Sequence, residues 1–278
     1  MEYSIKIDPQ RGRMLWLTDG VIELAASLEF GIRISHLSLC GMENLFFRQP
    51  EDDTSLNTPA GWKIRGGHRL WLTPETDLIY WPDNDPVDYE MLPDGVLLTQ
   101  KAEDWMHVRK QLKVRLLGAG QVELTYILAN VGETALETAL WQVNTVDGGG
   151  RAEIPFGGYG KDPGSPERNL SLWGATNLGD SRVTFTKDSI TAQHDAANHD
   201  YFKLGLYNSA GKAALVSKGQ RLELSFGSYE PEKYPDKGYN FELYMNPNIM
   251  ELETLGPVQT ILPGESAAHK ECWKLTKA

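Results

Sequence analysis

Glu251 and Glu253 lie two residues apart in the alternating segment Ile249-Met-Glu-Leu-Glu-Thr. On a β-strand such residues point to the same face, about 6.6 Å apart at the usual rise. Paired carboxylates beside Tyr244 and Asn246 are unusual for a solvated strand. They suit a floor that binds a hydroxyl-rich ligand, with one member exchanging protons as a general base. The plainer reading is that one of them simply faces solvent.

A second constellation lies upstream in Trp62-Lys-Ile-Arg-Gly-Gly-His-Arg-Leu-Trp-Leu-Thr-Pro-Glu and Tyr80-Trp-Pro-Asp-Asn-Asp. Gly66 and Gly67 predict a tight bend before His68 and Arg69. Aromatic rings beside Arg, His and carboxylates suit sugar recognition, since rings cover the apolar face of a pyranose while polar groups bind its hydroxyls. The other reading of Trp62, Trp71 and Trp81 is as core residues under a long loop. The six histidines are scattered without metal-ligand spacing, so no metal and no cofactor is expected. No GxSxG elbow is present, and the glycine runs lack the strand-to-helix context of phosphate loops.

These groups must be held by strands. Period-two alternation dominates the chain, most clearly at Gln121–Asn130, where Val122, Leu124, Tyr126 and Leu128 alternate with polar neighbours. Trp105–Leu117, Ala135–Val146, Phe202–Tyr207, Asn240–Met245, Ile249–Thr254 and Ala268–Leu275 read the same way. Turn signals such as Leu92-Pro-Asp-Gly and Leu117-Gly-Ala-Gly separate them. Many strands without crossover helices predict antiparallel sheets packed face to face, as one domain over 1–278. Two long stretches, Gln49 to Asp94 and Asp147 to Asn177, read as irregular loops at the rims of a cleft. The second carries Gly148-Gly-Gly and Gly157-Gly-Tyr-Gly.

Composition narrows the partners. Of 278 residues, 41% are hydrophobic, enough for a substantial core, and the net charge of −11 with no basic cluster argues against nucleic acid or an anionic membrane. Cys40 and Cys272 are expected as free thiols. The start lacks a signal-peptide pattern and no apolar run reaches the ~20 residues of a membrane helix, so a cytoplasmic protein is expected. The sequence sets no oligomeric state.

The segments Gly66-Gly-His-Arg-Leu-Trp-Leu-Thr-Pro-Glu, Tyr234-Pro-Asp and Glu251-Leu-Glu-Thr-Leu-Gly-Pro, with the closing Leu262-Pro-Gly-Glu-Ser and Trp273, resemble a branch of the galactose mutarotase-like (aldose 1-epimerase) superfamily. The resemblance implies an all-β, single-domain antiparallel β-supersandwich with a carbohydrate cleft on one sheet. It gives Glu253 the catalytic carboxylate's role, through Leu252-Glu253-Thr254. It sets His68-Arg69 against the family's sugar-binding Asn-Arg pair and Tyr244 on the cleft strand, beside the Trp71, Trp81 and Glu251 that the aromatic cluster and the carboxylate spacing already mark as candidate ligand contacts. Where mutarotases carry His-x-Tyr-Phe, this chain has Trp141-Gln-Val-Asn, so the family's general acid is absent there. Trp141 would serve as a stacking platform, and His68 or His107 would supply the acid. The expected function is binding of a small carbohydrate, with aldose epimerisation as its chemistry. The alternatives are a non-catalytic sugar-binding protein, or lyase or hydrolase chemistry on the same scaffold.

Overall fold

In the computed structural model, which describes residues 1–51, 53, 57–58, 61–157, 164 and 168–278, the alternating segments form two ten-stranded antiparallel sheets. The first runs, in spatial order, Glu2–Asp8, Gly12–Thr18, Ile22–Ser27, Ile34–Leu39, Gly67–Leu72, Leu140–Asp147, Ile249–Leu255, Phe241–Met245, Phe202–Leu206 and Leu170–Leu172. The second runs Val183–Phe185, Ser189–Gln193, Arg151–Pro155, Lys212–Ser217, Gln220–Phe226, Ser266–Lys277, Gln121–Asn130, Val108–Gly118, Gly95–Gln100 and Val87–Leu92. A short pair, Leu136–Thr138 with Gln259–Ile261, stands apart. The expected all-β sandwich is the fold observed.

The alternation has a direct physical consequence. Val122, Leu124, Tyr126 and Leu128 all point into the space between the sheets. They meet Leu70, Leu72, Leu140, Leu252, Phe241, Leu243, Phe202 and Leu204 from the first sheet in one apolar cluster. Burying side chains of this size contributes about 1.5–3 kcal/mol each. A polar layer crosses this core. Glu271 accepts from Trp273 Nε1, from Thr254 Oγ1 at 2.7 Å and from Asn144 Nδ2 at 3.1 Å.

The stretches read as loops are partly strands. Gly67–Leu72 and Val87–Leu92 lie within the first, and Arg151–Pro155 and Leu170–Leu172 within the second. The Gly157-Gly-Tyr-Gly run leaves the described residues after Gly157. Gly66 and Gly67 do have positive φ, +77° and +80°, but they serve a close crossing of backbones. A Cβ would come within 2.0 Å of Phe47 O at Gly66 and 2.4 Å of Ile34 O at Gly67. From Gly67 the chain runs on as a buried strand at the centre of the sheet.

Candidate active site

Strand geometry sorts the candidate residues by parity. Along Gly67–Leu72, residues 68, 70 and 72 face the second sheet, while 69 and 71 face away from it. The same alternation puts Trp141, Glu251, Glu253, Glu242, Tyr244 and Lys203 on the outer face with Arg69 and Trp71. The register supports it: Val143 pairs with both Arg69 and Glu253, Glu242 with Glu253, and Tyr244 with Glu251 and Lys203. The segment around Thr58, Trp62, Ile64, Glu75 and Tyr80, with Trp173, closes over this face. The result is a hollow of about 330 Å³, in the range of small-molecule sites.

Two ion-paired groups form its floor. Arg69 donates to Thr145 Oγ1 at 2.6 Å and to Glu251 Oε1 at 3.2 Å, and Thr145 Oγ1 donates to the same Oε1 at 2.6 Å. Among the described residues nothing hydrogen-bonds to Glu251 Oε2. The Arg69 guanidinium stacks on Trp71 at 4.2 Å. The second group centres on Lys203, whose Nζ lies 2.7 Å from Glu242 Oε2 and 3.6 Å from Glu253 Oε2. Its ammonium sits 4.8 Å from the ring centres of both Trp141 and Trp173. Trp141 Nε1 donates to Glu253 Oε2 at 2.8 Å.

Glu253 is 1% exposed. Burial pushes its carboxyl well above the ordinary range; Lys203 opposes this, and the neighbouring Glu242 and Glu251 reinforce it. Glu242 is raised by the same burial, again against the pull of Lys203. Burial pulls the Lys203 ammonium down, but Glu253 and Glu242 more than offset that and hold it above its usual value. Two buried carboxyls beside one ammonium favour holding a proton between them, and they titrate as a pair. Burial pushes the half-buried Tyr244 up to about 12, against the hydrogen bond its hydroxyl accepts from Asn246 Nδ2.

The structure brings together Arg69, Trp71, Trp141, Tyr244, Glu251 and Glu253, and separates two expected residues from them. His68 lies on the opposite face of its strand, 0% exposed between the sheets, with its ring against Tyr126 and Trp273. Burial lowers its pKa to about 3. Asn144 commits both Nδ2 hydrogens to Leu252 O and Glu271, so its Oδ1 accepts from His68 Nδ1, which therefore carries the proton. A neutral imidazole sealed in the core cannot supply the acid to this hollow. Trp81 is 48% exposed and packs against Trp105, outside the hollow. His107 is exposed near the start of Val108–Gly118, in the other sheet, and does not line the hollow either.

Three site residues were missed by sequence reasoning: Lys203, Glu242 and Trp173. The first two had a signal, a charge at the outward position of an apolar run, in Phe202-Lys-Leu and Phe241-Glu-Leu. Trp173 reaches the site from an irregular stretch and had none. Among the described residues no three His, Cys, Asp or Glu side chains gather to hold a metal ion, and no helix is long and apolar enough to cross a membrane.

No protein-family model matches this chain, and neither does any curated protein. Solved structures do match along nearly its whole length. The Slr1438 protein from Synechocystis sp. PCC 6803 superposes with a TM-score of 0.64 at 14% identity, covering 100% of both chains. A galactose mutarotase-like protein from Lactobacillus casei gives 0.60 at 12% identity, covering 95% of this chain and 100% of the other. Another, from Clostridium acetobutylicum, gives 0.60 at 11% identity, covering 100% and 99%. The chain has the galactose mutarotase-like fold.

Proposed function

We propose that the hollow binds a monosaccharide or the end of a short glycan, and that Glu253 exchanges a proton at its anomeric centre, as in an aldose 1-epimerase. The observation that carries this reading is a buried carboxyl of raised pKa on the floor of an aromatic-walled hollow, fixed by Trp141 and Lys203. Rings on the walls suit the apolar face of a pyranose, and the floor offers charged acceptors and donors for hydroxyls.

Mutarotation needs an acid for the ring oxygen and a base for the anomeric hydroxyl. A carboxyl of raised pKa carries its proton toward neutral pH, so Glu253 fits the acid better than the base. Glu251 fits the base, with Oε1 tied to Arg69 and Thr145 and Oε2 left for the ligand. Glu253 gives its proton to the ring oxygen as the C1–O bond breaks, and Glu251 takes the proton of the C1 hydroxyl. The product is the open-chain aldehyde. Rotation about the bond to C2 and the reverse transfers close the other anomer and restore both carboxyls.

A second reading is binding without turnover. What favours it is that Trp141 stands where the resemblance expects a histidine, and that the lining charges already satisfy one another. Binding is tested first by intrinsic fluorescence: Trp62, Trp71, Trp141 and Trp173 all border the hollow, so a sugar that enters it must change their emission. No response across a panel of aldoses and short glycans would remove both readings.

A further inference from the structure

Four strands end the two large sheets, and three are guarded. Leu170–Leu172 and Val183–Phe185 have three residues each, and Val87–Leu92 exposes Asp88 and Glu90. Short or charged edges discourage pairing with other chains. The fourth edge, Glu2–Asp8, has seven residues, no internal proline, and an unbroken register from Glu2↔Thr18 to Asp8↔Gly12. Its outer backbone groups have no strand beside them among the described residues.

This strand carries charges of both signs, Glu2, Lys6 and Asp8, where Val87–Leu92 carries only acids that would repel a second copy. Tyr3 and Ile5 pair with Leu17 and Leu15, which are core residues, so Tyr3, Ile5 and Ile7 stand on the core-facing side of the sheet. They are 58%, 45% and 72% exposed. On the other side lie Glu2, Ser4 and Lys6, the last with its Nζ 4.6 Å from the Trp16 ring centre.

We infer that this edge pairs antiparallel with the same strand of a second copy of the chain, about a two-fold axis through Ser4. Charge selects the occupant and the register. Centred on Ser4, each Glu2 stands opposite the partner's Lys6, and each Tyr3 opposite the partner's Ile5. Centred on Ile5, Glu2 would meet the partner's Asp8, already ion-paired to its own Arg48, and would forgo the opposite charge of Lys6. The strand complements itself in the first register, as a two-fold interface requires. The dimer extends the first sheet across the axis and sets the apolar faces of the two strands side by side.

The test is the mass in solution by sedimentation velocity. Wild type is expected as two chains, Glu2→Lys and Lys6→Glu each as one, and the double exchange as two again. In a Cys40→Ser background, Ser4→Cys is expected to form an intermolecular disulfide on mild oxidation and Ile5→Cys is not. Paired residues at the axis lie about 4.5–5.5 Å apart, within disulfide reach. A wild-type protein of single-chain mass would overturn the proposal. So would a dimer unaffected by the single exchanges, a double exchange no better than either single, or cross-linking through Ile5→Cys instead.

Discussion

Trp141 and Glu253 are joined diagonally across neighbouring strands: the indole Nε1 donates to Glu253 Oε2 at 2.8 Å, while the register pairs Glu253 with Val143. One side chain thereby serves as a wall of the hollow and as a hydrogen-bond donor to its most buried carboxyl. The indole carries no titratable proton for catalysis, yet it still tunes one.

Replacing Trp141 with Phe keeps a ring and removes that donor. A hydrogen bond to a charged group contributes about 1.5–3 kcal/mol, so the ionised form of Glu253 becomes harder to reach and its pKa rises by about one unit or more. If protonated Glu253 is the acid, activity falls as pH rises through its pKa. The pH–rate profile of Trp141→Phe is expected to shift that fall upward.

Lys203 is the cation that offsets Glu242 and Glu253. Lys203→Met leaves two buried carboxyls without it, a loss of about 3–5 kcal/mol at neutral pH by analogy with broken buried pairs. The variant's carboxyls have still higher folded pKa values, so its native state binds more protons than the unfolded chain above the ordinary carboxylate range. Its stability therefore recovers as pH falls toward 4.5 and is lost again as pH rises. Urea unfolding at pH 5 and pH 7.5 reads the difference. An equal loss at both pH values would contradict it.

Two core histidines act in the opposite sense. Burial lowers His68 to about 3 and His269 to about 4, against 6.5 when unfolded. The unfolded chain binds their protons first, so stability falls as pH drops below 6.5, by about 1.4 kcal/mol per pH unit for each. The loss continues until each folded value is passed. His68→Asn is expected to halve this part of the slope between pH 6 and pH 5 while leaving sugar-induced fluorescence changes in place, because the side chain does not reach the hollow. Loss of ligand response in a folded His68→Asn protein would return that residue to the site.

The sheet architecture was legible in the sequence because alternation is a local signal. Gln121–Asn130 was read with its observed bounds, and Glu251 and Glu253 fall on one face as their spacing requires. His68 and Arg69 show where local reading ended. Two positive-φ glycines look like a bend, but in the fold they let backbones cross, and the strand beginning there sends neighbouring residues to opposite faces. Trp81 has the composition of a sugar platform, and only the packing against Trp105 sets it outside. Lys203 and Glu242 belong to the site through pairing between Phe202–Leu206, Phe241–Met245 and Ile249–Leu255, a long-range relation that no single segment encodes.

The most direct test is polarimetry of freshly dissolved α-aldoses with wild type, Glu253→Gln and His68→Asn. Wild type is expected to speed the approach to the equilibrium rotation for at least one aldose. Glu253→Gln, an amide without a titratable proton, is expected to abolish the effect, and His68→Asn to keep it. An unchanged rate with every aldose, or full activity in Glu253→Gln, would contradict the proposal that Glu253 exchanges the proton.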